Sequence, residues 1–274
     1  CETWICMAPH PHTVCCYYVR RLGGIPRVFV EYIKGHSLSH KIASKTLYEG
    51  GHKKALQRIL DMGIQFAWGL QHAHAEGLVH QDVKPSNALV STENRLKVTD
   101  FGVARALMAD DTSKEDLKHQ ALGTPTHRSP DHMHIIGVTP KSDMWSWGIC
   151  VMEMFAGGRF WEKGESAPES LRALVKHGAH YDVIPPMPPE VFELLQKCFE
   201  YEPDERPQDM NAVAGELIGI YQALCDSAYP RELPALGDIS PDVLSNRAVS
   251  LVDLGKSEEA ERLYLALSAK STSN

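Results

Sequence analysis

Two short runs carry residue types that could do chemistry together. His80-Gln81-Asp82-Val83-Lys84-Pro85-Ser86-Asn87 supplies an acid, a cation and an amide at fixed offsets, and Asp100-Phe101-Gly102 supplies a second acid soon after. Moving a phosphoryl group needs that set: a carboxylate for a hydroxyl proton, a cation beside the moving phosphoryl, and oxygen ligands for Mg²⁺. Asp82 is the candidate base, a carboxylate that would orient a hydroxyl and accept its proton late. Lys84 would neutralise charge on the phosphoryl. Asn87 and Asp100 would hold Mg²⁺ through oxygen, the ligand atom a hard cation prefers. A lone His-x-Asp would mean little, because most such pairs are structural or solvated.

These residues need strands and helices to hold them. Residues 13–20 and 26–31 are β-branched and aromatic with Gly23-Gly24 between them, which predicts a hairpin. Residues 38–42 predict a short helix. Leu56, Ile59, Leu60, Ile64, Phe66, Ala67 and Leu70 recur at helical spacing and predict a helix over 55–75 that stops at Gly77. Short strands at 88–91 and 95–98 would place both chemical runs at strand ends. A strongly apolar helix is expected at 142–156, with further helices at about 190–199 and 209–224. The fold class is α+β.

Composition sets outer bounds. The chain has 274 residues, 43% of them hydrophobic, enough to build one large domain and an appendage. A net charge of −7 leaves no basic footprint for nucleic acid. No run is long and apolar enough to span a bilayer, and no secretory signal is visible. Seven cysteines without a Cys-x-x-Cys pair predict reduced thiols in a cytoplasmic protein. His72 and His74, two apart on a predicted helix, do not share a face and are expected to be solvated rather than metal-binding.

Together the two runs resemble the catalytic and metal-binding loops of eukaryotic-type protein kinases. Further pieces follow in order. Gly123-Thr124-Pro125-Thr126-His127-Arg128-Ser129-Pro130-Asp131 is similar to the end of an activation segment, and Lys141 to Gly148 to the start of the central helix of the large lobe. Asp204-Glu205-Arg206-Pro207 resembles the late motif of that lobe. Upstream, His10 to Val14 and Val28 to Gly35 resemble the loop before a small-lobe strand and the ATP hinge. The resemblance covers roughly residues 1–225. It implies a partial small β lobe, a complete and mainly helical large lobe, and transfer of the ATP γ-phosphate to Ser or Thr hydroxyls of protein substrates. Lys84 followed by Pro85 is the Ser/Thr-kinase version of the loop.

The resemblance also implies roles. Thr124 would bond Asp82 and Lys84. His80 and Phe101 would stack within the regulatory spine. Asp143 would accept backbone N–H groups of the catalytic loop. Glu31 and Ile33 would offer a carbonyl and an N–H to adenine, their side-chain identity mattering little. Val30 would be the gatekeeper, and Leu89 would lie beneath adenine. Asp131 would pair with Arg206, one methylene short of the usual glutamate. Gln81 stands where the family has an arginine that meets a phosphate, so control through loop phosphorylation at Thr112 or Ser113 is not expected. His127, Ser129 and Asp131 are further departures, bearing on regulation and docking more than on transfer.

The Gly-rich loop and the strand lysine of the family are not found, and Glu2 lies one residue off the spacing of the glutamate that pairs with that lysine. We therefore expect an internal piece of a longer protein, inactive as it stands. Residues 226–239, with Pro230, Pro234 and Gly237, read as a linker. In 240–274, Ala248, Leu251, Gly255, Ala260 and Tyr264 resemble the start of a tetratricopeptide repeat, which would bind a protein partner. Leu267, where that repeat has a small residue, leaves any helical hairpin as the alternative. A pseudokinase scaffold and a small-molecule phosphotransferase are the rival functions.

Overall fold

A computed structural model describes residues 2–101, 124–133, 138–234 and 241–271. Strands β1 (Cys16–Leu22) and β2 (Ile25–Val30) pair antiparallel across Gly23-Gly24. Both glycines have positive φ, 60° and 81°, as a two-residue turn matched to strand twist requires. A second sheet runs β3 (Gly35–Ser37), β4 (Ala88–Ser91), β5 (Leu96–Val98), all antiparallel. The chain before β1 joins the two sheets. His12 accepts from Val98 N–H at 2.9 Å, and Val14 N–H donates to the Val98 carbonyl at 2.8 Å.

Around them lie α1 (Glu2–Cys6), α2 (Leu38–Ala43), α3 (His52–Ala75), α4 (Pro140–Ala156), α5 (Ala167–His177), α6 (Pro189–Cys198) and α7 (Met210–Cys225), followed by α8 (Pro241–Asp253) and α9 (Ser257–Ser271). The expected helices are present with ends moved by one to three residues. Sequence reading missed α1, which has five residues, and α5, although Ala167, Leu171 and Leu174 carried a helical spacing there. Expected strand residues 13–15 precede β1, although Thr13 bridges Val98.

α3 and α4 form the centre. α4 is buried on nearly every side, and the indoles of Trp145 and Trp147 find carbonyl partners at Gly164 and Gly63, both at 3.1 Å. Gln65 on α3 uses both ends of its buried amide, accepting from Leu96 N–H at 2.9 Å and donating to Asn94 O at 3.1 Å. That fixes the β4–β5 turn on α3. Gly69 lets the chain before β1 lie directly on the helix. A Cβ there would overlap the His12 carbonyl oxygen and sit 2.7 Å from Val98 Cγ2. Gly69→Ala should therefore destabilise the fold by about 1–3 kcal/mol, read as a lower urea midpoint.

The solvated reading of His72 is wrong. His72 is buried, its ring stacked on His10 at 4.5 Å with Nε2 bonded to the Ala8 carbonyl at 2.8 Å. His12 is buried beside them, with Nδ1 bonded to Leu96 O at 2.9 Å. Burial, followed by neighbouring histidines for His10, holds His10 at about 3 and His12 at about 4. Unfolded, each takes a proton near pH ~6.5. Their contribution is thus intact above about pH 6.5 and lost as pH falls toward 4. The melting temperature should decline between pH ~7 and ~4.5, above the carboxylate range. A flat profile there would contradict neutral burial of these rings.

Candidate active site

α3 ends in a turn that aims the chain back toward the core. Gly77, at φ 75°, donates to His74 O at 3.0 Å, and Leu78 N–H donates to Ala73 O at 2.8 Å. The next residues meet α4 through Asp143. This fully buried carboxylate accepts from His80 N–H at 2.7 Å and Gln81 N–H at 2.8 Å, and bonds His74 Nε2 at 2.8 Å. Burial disfavours the charged form, but the bonds from His74 and the loop outweigh it and hold the carboxyl below its ordinary value. Gln81 sits at φ 70°, a conformation side chains rarely adopt, and the two bonds to Asp143 hold the loop in it. His74, expected to be solvated, is a buried partner of this carboxylate instead.

His80 is also buried. Its Nδ1 accepts from Asp82 N–H at 3.3 Å, so Nε2 carries the proton it donates to Thr99 O at 2.8 Å. Its ring lies 4.9 Å from that of Phe101, which lies 5.6 Å from Trp4 on α1. Phe101 is completely buried.

Asp82, Lys84, Asn87 and Thr124 converge. Asp82 Oδ1 accepts from Thr124 Oγ1 at 2.8 Å and Thr124 N–H at 2.9 Å. Its Oδ2 meets Lys84 Nζ at 2.7 Å and Asn87 Nδ2 at 3.2 Å. Lys84 Nζ also donates to Thr124 Oγ1 at 2.9 Å. Burial opposes ionisation of Asp82, yet Lys84 and Thr124 keep its carboxyl below the ordinary range. With Asn87 Nδ2 turned to Asp82, the amide oxygen remains for a hard cation. Thr99 N–H donates to Asn87 O at 3.0 Å, and the exposed Asp100 follows Thr99 in the chain. The Asn87 and Asp100 side chains offer oxygen ligands, as Mg²⁺ prefers.

Of the residues expected at an ATP hinge, Val30 lies on β2, Glu31 and Ile33 lie between β2 and β3, and Leu89 lies on β4. Val30 ends β2, and Ile33 and Leu89 are half-buried against the core. The side chain of Glu31 makes contacts of its own, which the backbone reading did not anticipate. Its carboxylate takes Lys97 Nζ at 2.9 and 2.7 Å and Cys15 N–H at 3.3 Å, tying the segment after β2 to β5.

Farther along, α4 holds the run after Thr124. Ser146 Oγ donates to His127 O at 2.6 Å, Ser142 Oγ donates to Asp131 at 2.6 Å, and Ser129 Oγ adds a third contact at 3.0 Å. His127 is buried, with Nε2 bonded to Glu153 at 3.2 Å. Sequence reading missed Ser142 and Ser146. Their signal was available: hydroxyls four apart on one face of a mostly apolar helix. Gly102, Thr112, Ser113 and Gly123 lie outside the described residues.

Asp131 and Arg206 meet in a buried bidentate pair, Nη2–Oδ1 at 2.6 Å and Nη1–Oδ2 at 3.2 Å. The shorter acid thus still reaches the arginine through both oxygens. The remaining arginine donors reach Glu200 O at 2.8 Å, Lys141 O at 2.9 Å and Tyr201 O at 3.1 Å. Burial raises the Asp131 pKa, and Arg206 and Ser142 more than reverse that shift.

The chain matches the family model for protein tyrosine and serine/threonine kinases over residues 3–217. It is 29% identical over 210 residues to a Clostridium acetobutylicum protein named "Probable serine/threonine-protein kinase", covering 74% of this chain and 30% of that protein. It is 29% identical over 212 residues to a MAP kinase kinase kinase of Schizosaccharomyces pombe, covering 74% and 17%. A serine/threonine-protein kinase of Corynebacterium efficiens is 32% identical over 192 residues, covering 68% and 34%. The chain thus spans about a third or less of these relatives' lengths.

Arg206→Ala should strand Asp131 in the interior and destabilise the fold by roughly 3–5 kcal/mol in urea unfolding. Arg206→Lys keeps the charge and loses the planar fork, so it too should melt below wild type.

Proposed function

This chain belongs to the protein tyrosine and serine/threonine kinase family, and from that premise we propose that its full-length parent transfers the γ-phosphate of Mg·ATP to Ser or Thr of protein substrates. The observation that carries the reading is the Asp82 carboxylate, bracketed by Lys84 and Thr124 and backed by Asn87. The substrate oxygen forms a bond to the γ-phosphorus, the bond from that phosphorus to the bridging oxygen of ADP breaks, and the hydroxyl proton passes to Asp82. Lys84 neutralises charge on the transferring group. Thr124 holds Asp82 Oδ1, and Oδ2 meets Lys84 and Asn87. Asn87 and Asp100 are the residues that would hold Mg²⁺, whose chemistry is to neutralise the phosphate oxygens.

Adenine would bond the backbone at Glu31 and Ile33, with Val30 as gatekeeper and Leu89 beneath the ring. His80, Phe101, Asp143, Asp131 and Arg206 support these groups without touching substrate. Residues 1–225 would be the kinase domain, 226–239 the linker, and 240–274 the start of a tetratricopeptide-like repeat that recruits a protein partner. Gly255 at φ 81° between α8 and α9, with Ala248 and Ala260 buried, supports that last reading. Free thiols among the described residues support a cytoplasmic setting. No described helix is long and apolar enough to cross a membrane.

Asp82→Asn in the parent should lower kcat by about 10²–10⁴, with KM for Mg·ATP little changed. Phosphoamino-acid analysis of a wild-type reaction should give phosphoserine or phosphothreonine. Unchanged turnover in the variant would remove Asp82 from the chemistry, and absence of transfer by the wild-type parent would favour a non-catalytic scaffold.

A further inference from the structure

A strand edge exposes backbone groups that need a partner, and a two-strand hairpin is marginal alone. In β1 that partner is remote in sequence. Val19 N–H donates to Ser250 Oγ on α8 at 2.9 Å, and Ser250 Oγ donates in turn to Asn246 O at 2.7 Å. Both Val19 and Ser250 are completely buried. One turn earlier on α8, the buried Arg247 donates through Nη2 to Met7 O at 2.6 Å, just past the end of α1. Cations suit that end of a helix. Arg20 and Asp253 meet at 3.4 Å at the rim, an exposed contact of little energetic weight.

The chain leading to α8 is anchored as well. Tyr229 OH donates to Asp61 on α3 at 2.7 Å, and Arg231 grips the same carboxylate at 2.7 and 3.0 Å. Arg231 also reaches Asn94 O in the β4–β5 turn at 3.1 Å. The Tyr229 ring lies edge-on to Trp68 and Tyr221. The stretch read from sequence as a linker therefore contains a fixed attachment on α3.

We propose that the outer edge of β1 and the end of α1 form a docking surface for this chain's own α8, which straps β1 and α1 to the large helical body and so positions the nucleotide-binding side of the site. The contacts are continuous. Arg247 holds Met7, Met7 follows α1, Trp4 of α1 packs on Phe101, and Phe101 packs on His80. The effect on catalysis rests on the kinase reading; the docking does not.

The test uses the full-length parent carrying Ser250→Ala and Arg247→Met together, a pair that preserves helix-forming side chains and touches no group of the active-site cluster. Hydrogen exchange of the amides in 16–22 should accelerate roughly tenfold, with Val19 most affected, while α4 keeps its protection. Phosphate transfer should fall in parallel through a raised KM for Mg·ATP. Unchanged exchange in 16–22 would overturn the docking. Faster exchange with wild-type kinetics would overturn the positioning role. If the wild-type parent shows no transfer at all, the functional reading fails, and exchange alone decides the docking. Arg231→Gln is the second variant. It should loosen the same amides from a site remote from α8, and unchanged exchange there would overturn the strap.

Discussion

A carboxylate sealed from water must have its hydrogen bonds supplied by protein, and Asp143 is where the site depends on that rule. It sits in the first turn of the most buried helix, so its position is set by the packing of Trp145, Trp147 and their neighbours. Its three partners are the end of α3 and two backbone N–H groups of the following loop. The loop then has little choice of conformation. Gln81 is held left-handed, His80 is turned inward, and Asp82 emerges facing Lys84, Asn87 and Thr124. The loop carrying the candidate site groups is thus positioned by the hydrophobic core through one buried carboxylate.

Arg206 applies the same logic on the other side of α4. Its planar fork has five donors, and five acceptors meet them: two oxygens of Asp131 and the carbonyls of Lys141, Glu200 and Tyr201. Such a pair is weak evidence for net stability, because an apolar replacement of both partners can be as stable. Its stronger consequence is geometric. The segment from Thr124 to Asp131 must lie where arginine, Ser142 and Ser146 can all reach it, and Thr124 is thereby carried to Asp82. Asp131, shorter by a methylene than a glutamate, keeps the contact.

Sequence periodicity and residue chemistry were enough to predict most of the elements that hold these groups. The β1–β2 hairpin was legible from Gly23-Gly24, since only glycine turns there without strain. α3 was legible from its apolar spacing and from Gly77, and α4 from a run with no polar side to give to water. The candidate site was legible because an acid, a lysine, an amide and a second acid fall at set offsets on one loop and the next strand end, and the structure brings Asp82, Lys84 and Asn87 together. Asp143 and Arg206 were legible only through the family resemblance, as single charges whose partners lie far away in sequence.

What remained hidden depends on contacts between distant segments. Nothing local distinguishes a solvated histidine from His72 under His10, or from His74 on Asp143; only the meeting of α3 with the chain before β1 and with α4 buries them. Glu31 looked replaceable because its backbone was the expected contact, until Lys97 of β5 arrived beside it. The connector after α7 looked loose because Pro and Gly punctuate it, while its hold on Asp61 comes from a helix over a hundred residues earlier. The sequence by itself determined which residues can do the chemistry and which segments are helix or strand, because those follow from side-chain type and period. The tertiary structure decided which polar groups are deprived of water, because burial is set jointly by every segment that packs at a point.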